Sequence, residues 1–461
     1  MIRIRCLPIA LVLILVTGTS AGHAEDLLQI YQQARASDPQ LAGAEATKYA
    51  TEEGVDQARS QLLPQINASL NYQRSHGSGT NEQFFTDANG NLVLVPITSS
   101  SRSYGRTLNG TLTQSILDIS QWTGLAASRA QANAGDATYE AAAQDLYIRV
   151  ATAYFAVLTA EDALKFAKSN EEALNRQLEQ AQQRFEVGLS AITDVNDAKA
   201  NHDSAIANVI AAQNAVDDAR EGLRQLTGKE PGNLKTLRDD LPLDHPKPND
   251  PSAWVDVALK ENPTLSSFAF QLDAAGDNVK TARAGYLPTI TGQIVYTRSP
   301  TWADQNSAQY GGEIHTNSTR SDTAIGFALN VPLFTGGLTQ SRVRQAVYNR
   351  DFAQDQYELQ RRMVVRDTRS NYRAVIAGAS EVEARKQAVV SAKSSLDATQ
   401  AGYEVGTRTI VDVLISQQQL LQAQSDYSQA RHSFVLNGLK LKQSAGVIQL
   451  RDLQLVNSLL E

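Results

Sequence analysis

The chain has 461 residues, 42% of them hydrophobic but only 6% aromatic, and carries a formal charge of −7. An acidic chain of this kind lacks the basic face that nucleic-acid binding requires, and its single cysteine, Cys6, leaves no disulfide framework. Scarce aromatics favour thin Ala/Leu seams between long helices over the bulkier core of a large α/β enzyme.

Residues 1–24 read as a secretory signal peptide. Arg3 and Arg5 precede an apolar run over 7–16, and the small residues Ala21-Gly22-His23-Ala24 mark a cleavage point. Cleavage removes Cys6 and both arginines, leaving 40 basic against 49 acidic residues, a charge of −9. The apolar run is too short to span a bilayer, and no later segment reaches the roughly 20 apolar residues of a membrane helix. Cys6 also lies ahead of the run, so no lipid attachment site is expected. The reading is an exported chain without a helical anchor.

The next 204 residues, 25–228, form a first repeat that opens with a helix around Asp38-Pro39. After Pro64 the pattern alternates: Ile66, Ala68, Leu70 and Tyr72 stand against Gln65, Asn67, Ser69, Asn71 and Gln73. Period two with one polar face predicts a strand over 64–74, and Leu108, Leu112 and Ile116 predict its partner over 104–116. The polar stretch between them, 75–103, reads as a long loop. From Pro96 to Pro231 there is no proline, and long helices are expected over about 120–226. Leu146, Val150, Ala153, Val157, Ala160, Leu164, Ala167, Leu174, Leu178, Ala181 and Phe185 recur at steps of four and three, with Glu171 alone out of pattern, which is a coiled-coil seam. A helix of that extent is on the order of 100 Å long and must pack beside others.

Residues 229–251, with Pro231, Pro242, Pro246, Pro248 and Pro251, read as a join. The pattern then starts again. Asn262-Pro263 echoes Asp38-Pro39 and Leu287-Pro288 echoes Leu63-Pro64, both 224 residues later. Tyr403-Glu404-Val405-Gly406 echoes Phe185-Glu186-Val187-Gly188 and Val411-Asp412-Val413 echoes Thr193-Asp194-Val195, both 218 residues later. Matches that include proline and glycine and hold register indicate a tandem duplication. The second repeat, 252–446, has strands over 288–298 (Ile290, Ile294, Tyr296) and 323–334 (Ile325, Phe327, Leu329, Val331, Leu333), the polar segment 299–322 between them, and helices over about 338–446. A tail, 447–461, follows.

Four strands of about ten residues have the length of membrane β-strands, yet the smallest membrane barrels have about eight. Unpaired strand edges are not tolerated in hydrocarbon, so other copies must close the barrel. Two copies give eight strands packed with side chains, three give twelve and a lumen. The residues permit either. Tyr72, Tyr104, Tyr296 and Trp302, near strand ends, fit an interfacial aromatic belt.

The blocks Arg184-Phe185-Glu186-Val187-Gly188-Leu189-Ser190-Ala191-Ile192-Thr193-Asp194-Val195 and Tyr403-Glu404-Val405-Gly406-Thr407-Arg408-Thr409-Ile410-Val411-Asp412-Val413-Leu414 resemble the two hairpin tips of the TolC family of outer-membrane efflux and type I secretion channel proteins. The resemblance covers the whole mature chain. It implies a mixed α and β membrane protein: a homotrimeric channel tunnel with a twelve-stranded transmembrane β-barrel, four strands per chain, continued by a long periplasmic α-helical barrel. A mixed belt would be built from the inter-repeat segment and the C-terminus. It further implies an exit duct in the outer membrane that opens when its periplasmic tips loosen on docking, with a periplasmic adaptor (membrane fusion) protein and an inner-membrane RND pump or ABC transporter as partners, and outer-membrane lipid around it. Of the site residues, Thr193, Asp194, Tyr403 and Arg408 would form a gate latch and Asp412 a pore constriction. Gly188, Leu189, Gly406 and Thr407 would form the tips that meet the adaptor. Where the family often has a second aspartate, three residues after Asp412, this chain has Ile415, so a double acidic ring is not expected. No catalytic motif, metal set or cofactor motif appears. The alternative from another class is a periplasmic coiled-coil scaffold or adhesion protein with a small soluble sheet, which accounts for the heptads but not for two strand pairs.

Overall fold

The structure, a computed structural model, describes residues 24–307 and 312–461. Residues 1–23 of the expected signal peptide lie outside the described residues, as do 308–311 within the second polar segment. The chain separates into two compact units, and each takes segments from both sequence repeats.

One unit comprises Ala44–Glu140 and Pro263–Met363. Its centre is one antiparallel sheet of β1 (Gln65–Thr86), β2 (Leu92–Leu117), β3 (Thr289–Ser307) and β4 (Gly312–Asn330) in the order β1-β2-β3-β4. The strands run well beyond the apolar alternation from which they are legible. Most of the polar stretches expected as loops are paired strand, because a ladder needs only backbone N–H and C=O groups. Serine and threonine pairs extend it: Ser75 and Ser103 hydroxyls lie 2.6 Å apart and those of Thr80 and Thr98 3.2 Å. In the first hairpin the connection shrinks to 87–91, where Asp87 Oδ1 accepts from the N–H of Asn89 and of Asn91, both 2.9 Å. At the other end β4 stops at Asn330 instead of 334. Pro332 brings no N–H to the ladder, and Leu333 beyond it is 92% exposed.

Register places the apolar positions on one face. Ile66 faces Leu112 and Leu70 faces Leu108. Leu112 in turn faces Ile294, while Ile290, Ile294 and Gly292 face Leu329, Ile325 and Phe327. The opposite face carries Asn67, Ser69, Asn71, Thr289, Thr291 and Gln293. Strands β1 and β4 are the two edges. The same unit holds parts of α2 (Pro39–Ser60), α3 (Ile119–Glu186) and α7 (Leu338–Glu404), with all of α6 (Pro263–Ala284). The helix seams here are narrow. A Cβ on Gly135 would lie 2.3 Å from Thr51 Oγ1, and Ser267 Oγ donates to the Ala134 carbonyl at 3.1 Å.

The other unit comprises the described part of Met1–Gly43, with Ala141–Asn262 and Val364–Glu461. It contains α1 (Leu27–Ser37), α4 (Ile192–Thr227), α5 (Pro251–Glu261), α8 (Ile410–Ser444), α9 (Leu450–Asn457) and the remaining parts of α2, α3 and α7. The Asp38-Pro39 and Asn262-Pro263 pairs turn out to be helix junctions. Asp38 and Asn262 cap the C-termini of α1 and α5, and the prolines open α2 and α6, where a missing N–H costs nothing. Arg149 holds Asp38 at 2.6 Å, and this ion pair lowers the carboxyl's pKa.

Of the seam predicted in α3, Leu146, Val150, Val157, Leu174 and Ala181 are buried, whereas Phe185, at the hairpin end, is exposed. The largest fully buried side chains, Tyr154 and Phe155, lie off that seam. The Tyr154 hydroxyl reaches the carbonyls of Lys235 at 2.8 Å and Glu25 at 3.2 Å. Those two segments pair with each other, and Leu237 pairs with Leu460. Thr236 and Glu461 exchange N–H···O bonds of 3.1 and 2.9 Å. The inter-repeat segment thus forms strand bridges to both the start of the mature chain and the C-terminus, around the Tyr154 ring.

Candidate functional site

Helices α3 and α4 meet at one tip, 187–191, and α7 and α8 at the other, 405–409. Each tip is closed the same way. Gly188 and Gly406 have φ of +77° and +79°, a backbone that side chains other than glycine's rarely adopt. In the first, Gly188 N–H donates to Phe185 O at 2.9 Å and Leu189 N–H to Arg184 O at 2.7 Å; in the second, Gly406 donates to Tyr403 O at 3.1 Å and Thr407 to Gly402 O at 2.8 Å. This paired pattern satisfies the last helix carbonyls and ends the helix in one residue. Past the glycine the chain re-enters a helix. At the second tip Thr409 and Asp412 cap α8 reciprocally: Asp412 Oδ2 accepts from the Thr409 N–H and hydroxyl, both at 2.9 Å, and Asp412 N–H donates to Thr409 Oγ1 at 3.3 Å. The Thr409 N–H and hydroxyl hold the Asp412 carboxyl below the ordinary carboxylate range, and Arg408 adds a smaller pull in the same direction.

The structure brings together part of the expected set. Tyr403 is 6% exposed and packs with Leu174, Ala205, Ile410, Val413 and Leu414, which come from α3, α4 and α8. The guanidinium of Arg184 lies 4.9 Å from the centre of the Tyr403 ring. Burial raises the Tyr403 pKa; Arg184 opposes that shift and Asp194 adds to it. Arg184, Tyr403 and Asp194 are therefore mutual neighbours across the two tips. Among the described residues neither the Tyr403 hydroxyl nor Arg184 Nε has a hydrogen-bond partner, although both are buried. What holds Tyr403 is its ring. Arg408 is exposed and forms no ion pair with Asp194 within the chain; its aliphatic stem lies against Gly402, where an added Cβ would be 2.8 Å from Arg408 Cγ. Thr193 is exposed in the first turn of α4.

Sequence reasoning missed Arg184. Its position in the last turn of α3 satisfies the general preference for a cation at a helix C-terminus, so nothing local marked it, and its partner lies 219 positions away in sequence. The tips also expose apolar side chains: Val187, Leu189, Ile192, Val405, Val411 and Ile415. Farther along the hairpins, polar cross-ties join the helices. His202 and Glu171 approach to 3.0 Å, Thr159 Oγ1 and His432 Nδ1 to 2.8 Å, and Ser428 bonds to Asp162. Burial pushes His432 down to about 4. In the sheet, Asp304, Glu313 and His315 place ligand atoms within 4.8 Å of one another, a grouping across β3 and β4 that no sequence spacing announced.

Against known proteins, the model of the family described as outer membrane efflux protein matches twice, over residues 30–229 and 254–447, in line with the tandem repeat. The chain is 38% identical to Outer membrane protein TolC of Escherichia coli K12 over 458 residues, covering 99% of this chain and 89% of that protein. It is 28% identical to the Alkaline protease secretion protein AprF of Pseudomonas aeruginosa, covering 94% of this chain and 87% of the other. Among solved structures, the Campylobacter jejuni CmeC outer membrane channel superposes with a TM-score of 0.70 at 16% identity, covering 95% and 90% of the two chains. VceC of Vibrio cholerae gives 0.69 at 20% identity, covering 91% and 96%.

Proposed function

This chain belongs to the outer membrane efflux protein family, and we propose on that premise that three copies close a duct whose inner end is latched shut by the two helical tips of each chain. The protein is an outer-membrane exit duct for efflux or secretion that extends into the periplasm. The observation that carries the trimer is the sheet. It has four strands, one apolar and one polar face, and two edges, β1 and β4, with unused backbone groups. In hydrocarbon each unpaired N–H or C=O costs several kcal/mol, so β1 of one copy pairs with β4 of the next. Three copies supply twelve strands and a polar lumen. The mass of the unheated, detergent-solubilised protein tests this, with a trimer expected; a monodisperse monomer that keeps its β-structure would overturn it.

The latch has an inner and an outer part. Arg184, Tyr403 and Asp194 bind the two tips of one chain to each other. Arg408, exposed and without an acidic partner in its own chain, is placed to reach Asp194 or the Thr193 hydroxyl of a neighbouring copy. Asp412, fixed in one orientation by the Thr409 cap, presents a carboxylate beside that contact and recurs three times around the axis as a constriction. The apolar tip residues beside Gly188, Leu189, Gly406 and Thr407 give a periplasmic adaptor a surface to grip, and an RND pump or ABC transporter in the inner membrane supplies the cargo. Docking opens the duct by replacing tip-to-tip contacts with tip-to-adaptor contacts, which shifts a two-state equilibrium without new chemistry.

A further inference from the structure

We propose that the outward face of the sheet carries a built-in binding strip for the phosphate groups of the outer-leaflet lipid. This inference rests on the reading that the apolar face meets the membrane. On that face the side chains change character within four successive rows. Leu70 and Leu108 lie in the same row as Arg298; Tyr72 lies opposite Arg106; Arg74 lies opposite Tyr104, which faces Trp302; and His76 lies opposite Arg102, which faces Asp304. All four arginines therefore share the face of Ile66, Leu70, Ile290 and Ile294, on the side of the aromatic residues toward the hairpin ends.

These arginines are exposed, and none of them is in an ion pair among the described residues, although most of the other arginines with acids in reach form one. Two stack on the aromatics: Arg74 lies 5.3 Å from the Tyr104 ring centre and Arg106 5.6 Å from that of Trp302. A guanidinium held flat on an aromatic ring keeps its N–H fork free at the edge, the geometry that takes a phosphate by two parallel bonds. The polar face is arranged differently. There Arg320 is neutralised by Asp322 at 2.5 Å. A solvated loop has no use for four unpaired cations on the membrane side of the sheet, directly above an aromatic belt. A leaflet whose headgroups carry phosphate supplies the missing anions at that depth, and charge complementarity thereby commits the surface to a phosphorylated lipid. Asp304, beside Arg102, is the one acid among these paired rows and sets the outer limit of the strip.

The test uses the full chain, solubilised in a neutral detergent, with diphosphoryl lipid A as the probe. Apparent affinity is measured by native mass spectrometry at two salt concentrations, for the wild type and for the combined Arg74→Gln, Arg102→Gln, Arg106→Gln and Arg298→Gln variant. Each arginine near a charged leaflet contributes about fivefold, so the fourfold variant is expected to lose well over tenfold, and Arg320→Gln to lose nothing. Dephosphorylated lipid A should bind both proteins equally weakly, and inorganic phosphate should fail to compete, since it lacks the acyl chains that seat the headgroup. Equal lipid A affinity in wild type and variant overturns the inference. If the fourfold change impairs folding, the Arg102→Gln, Arg106→Gln pair is read in the same assay, and equal affinity there overturns it as well. Failure of the channel reading is distinguishable, because it appears in the wild type itself as a monomer without conductance.

Discussion

Replacing Arg184 by methionine isolates the inner part of the latch. Methionine keeps the unbranched stem and its packing but removes the cation from the Tyr403 face. Arg184 Nε makes no hydrogen bond among the described residues, so the change removes little beyond the ring contact. With the guanidinium 4.9 Å from the centroid of a ring that is 6% exposed, the contact contributes roughly 1 kcal/mol, between exposed and desolvated cases. Three copies that release together sum to about 3 kcal/mol, which multiplies the ratio of open to closed channels by roughly 150. Single-channel recording in planar bilayers reads this as raised open probability at low voltage, and Arg184→Lys, which keeps a cation, should show a smaller rise. Tyr403→Phe keeps the ring and should leave gating near the wild type. An Arg184→Met channel with wild-type open probability, or a Tyr403→Phe channel as leaky as it, would mean that the stacked pair does not hold the tips.

Arg408→Ser should also raise conductance, but less than Arg184→Met, because an exposed pair contributes at most about 1 kcal/mol and is screened; equal conductance at low and high salt would speak against an ionic contact there. Asp412→Ala should lower the cation selectivity of the reconstituted channel and also weaken the start of α8 by about 1 kcal/mol, read as reduced hydrogen-exchange protection at 409–413; unaltered selectivity removes Asp412 from the constriction. In the sheet, Leu70→Arg should reduce folded protein by roughly 2–4 kcal/mol, whereas Asn71→Arg should cost much less; equal losses would refute the assigned faces. His432 gives a pH dependence. Its folded pKa, about 4, lies below the ordinary 6.5, so the unfolded chain binds the extra proton first. Stability is full above about pH 6.5 and is lost as pH falls toward 4, by about 3 kcal/mol per chain. Thermal unfolding midpoints should fall over that window in the wild type and stay flatter in His432→Gln.

Some features of this protein follow from order along the chain. The tandem repeat, the four strands, the helix breaks at Gly188 and Gly406 and the proline junctions each depend on residues within one or two turns of each other. Period two and period 3.5, a missing N–H and a positive φ are local properties, and they are visible in any correct reading of a sequence. The strand ends were not legible, because the outer parts of β1 to β4 lack an apolar face and are held only by backbone pairing with a partner strand. Tertiary structure alone decided which residues meet. The Tyr154 ring is wedged beneath two segments more than 200 residues apart. Arg184 finds Tyr403 only when the α3–α4 and α7–α8 hairpins pack side by side. Arg298 joins Arg74, Arg102 and Arg106 only through the β2–β3 register. Burial, ring stacking and charge proximity act through space, at separations that no spacing in the sequence encodes.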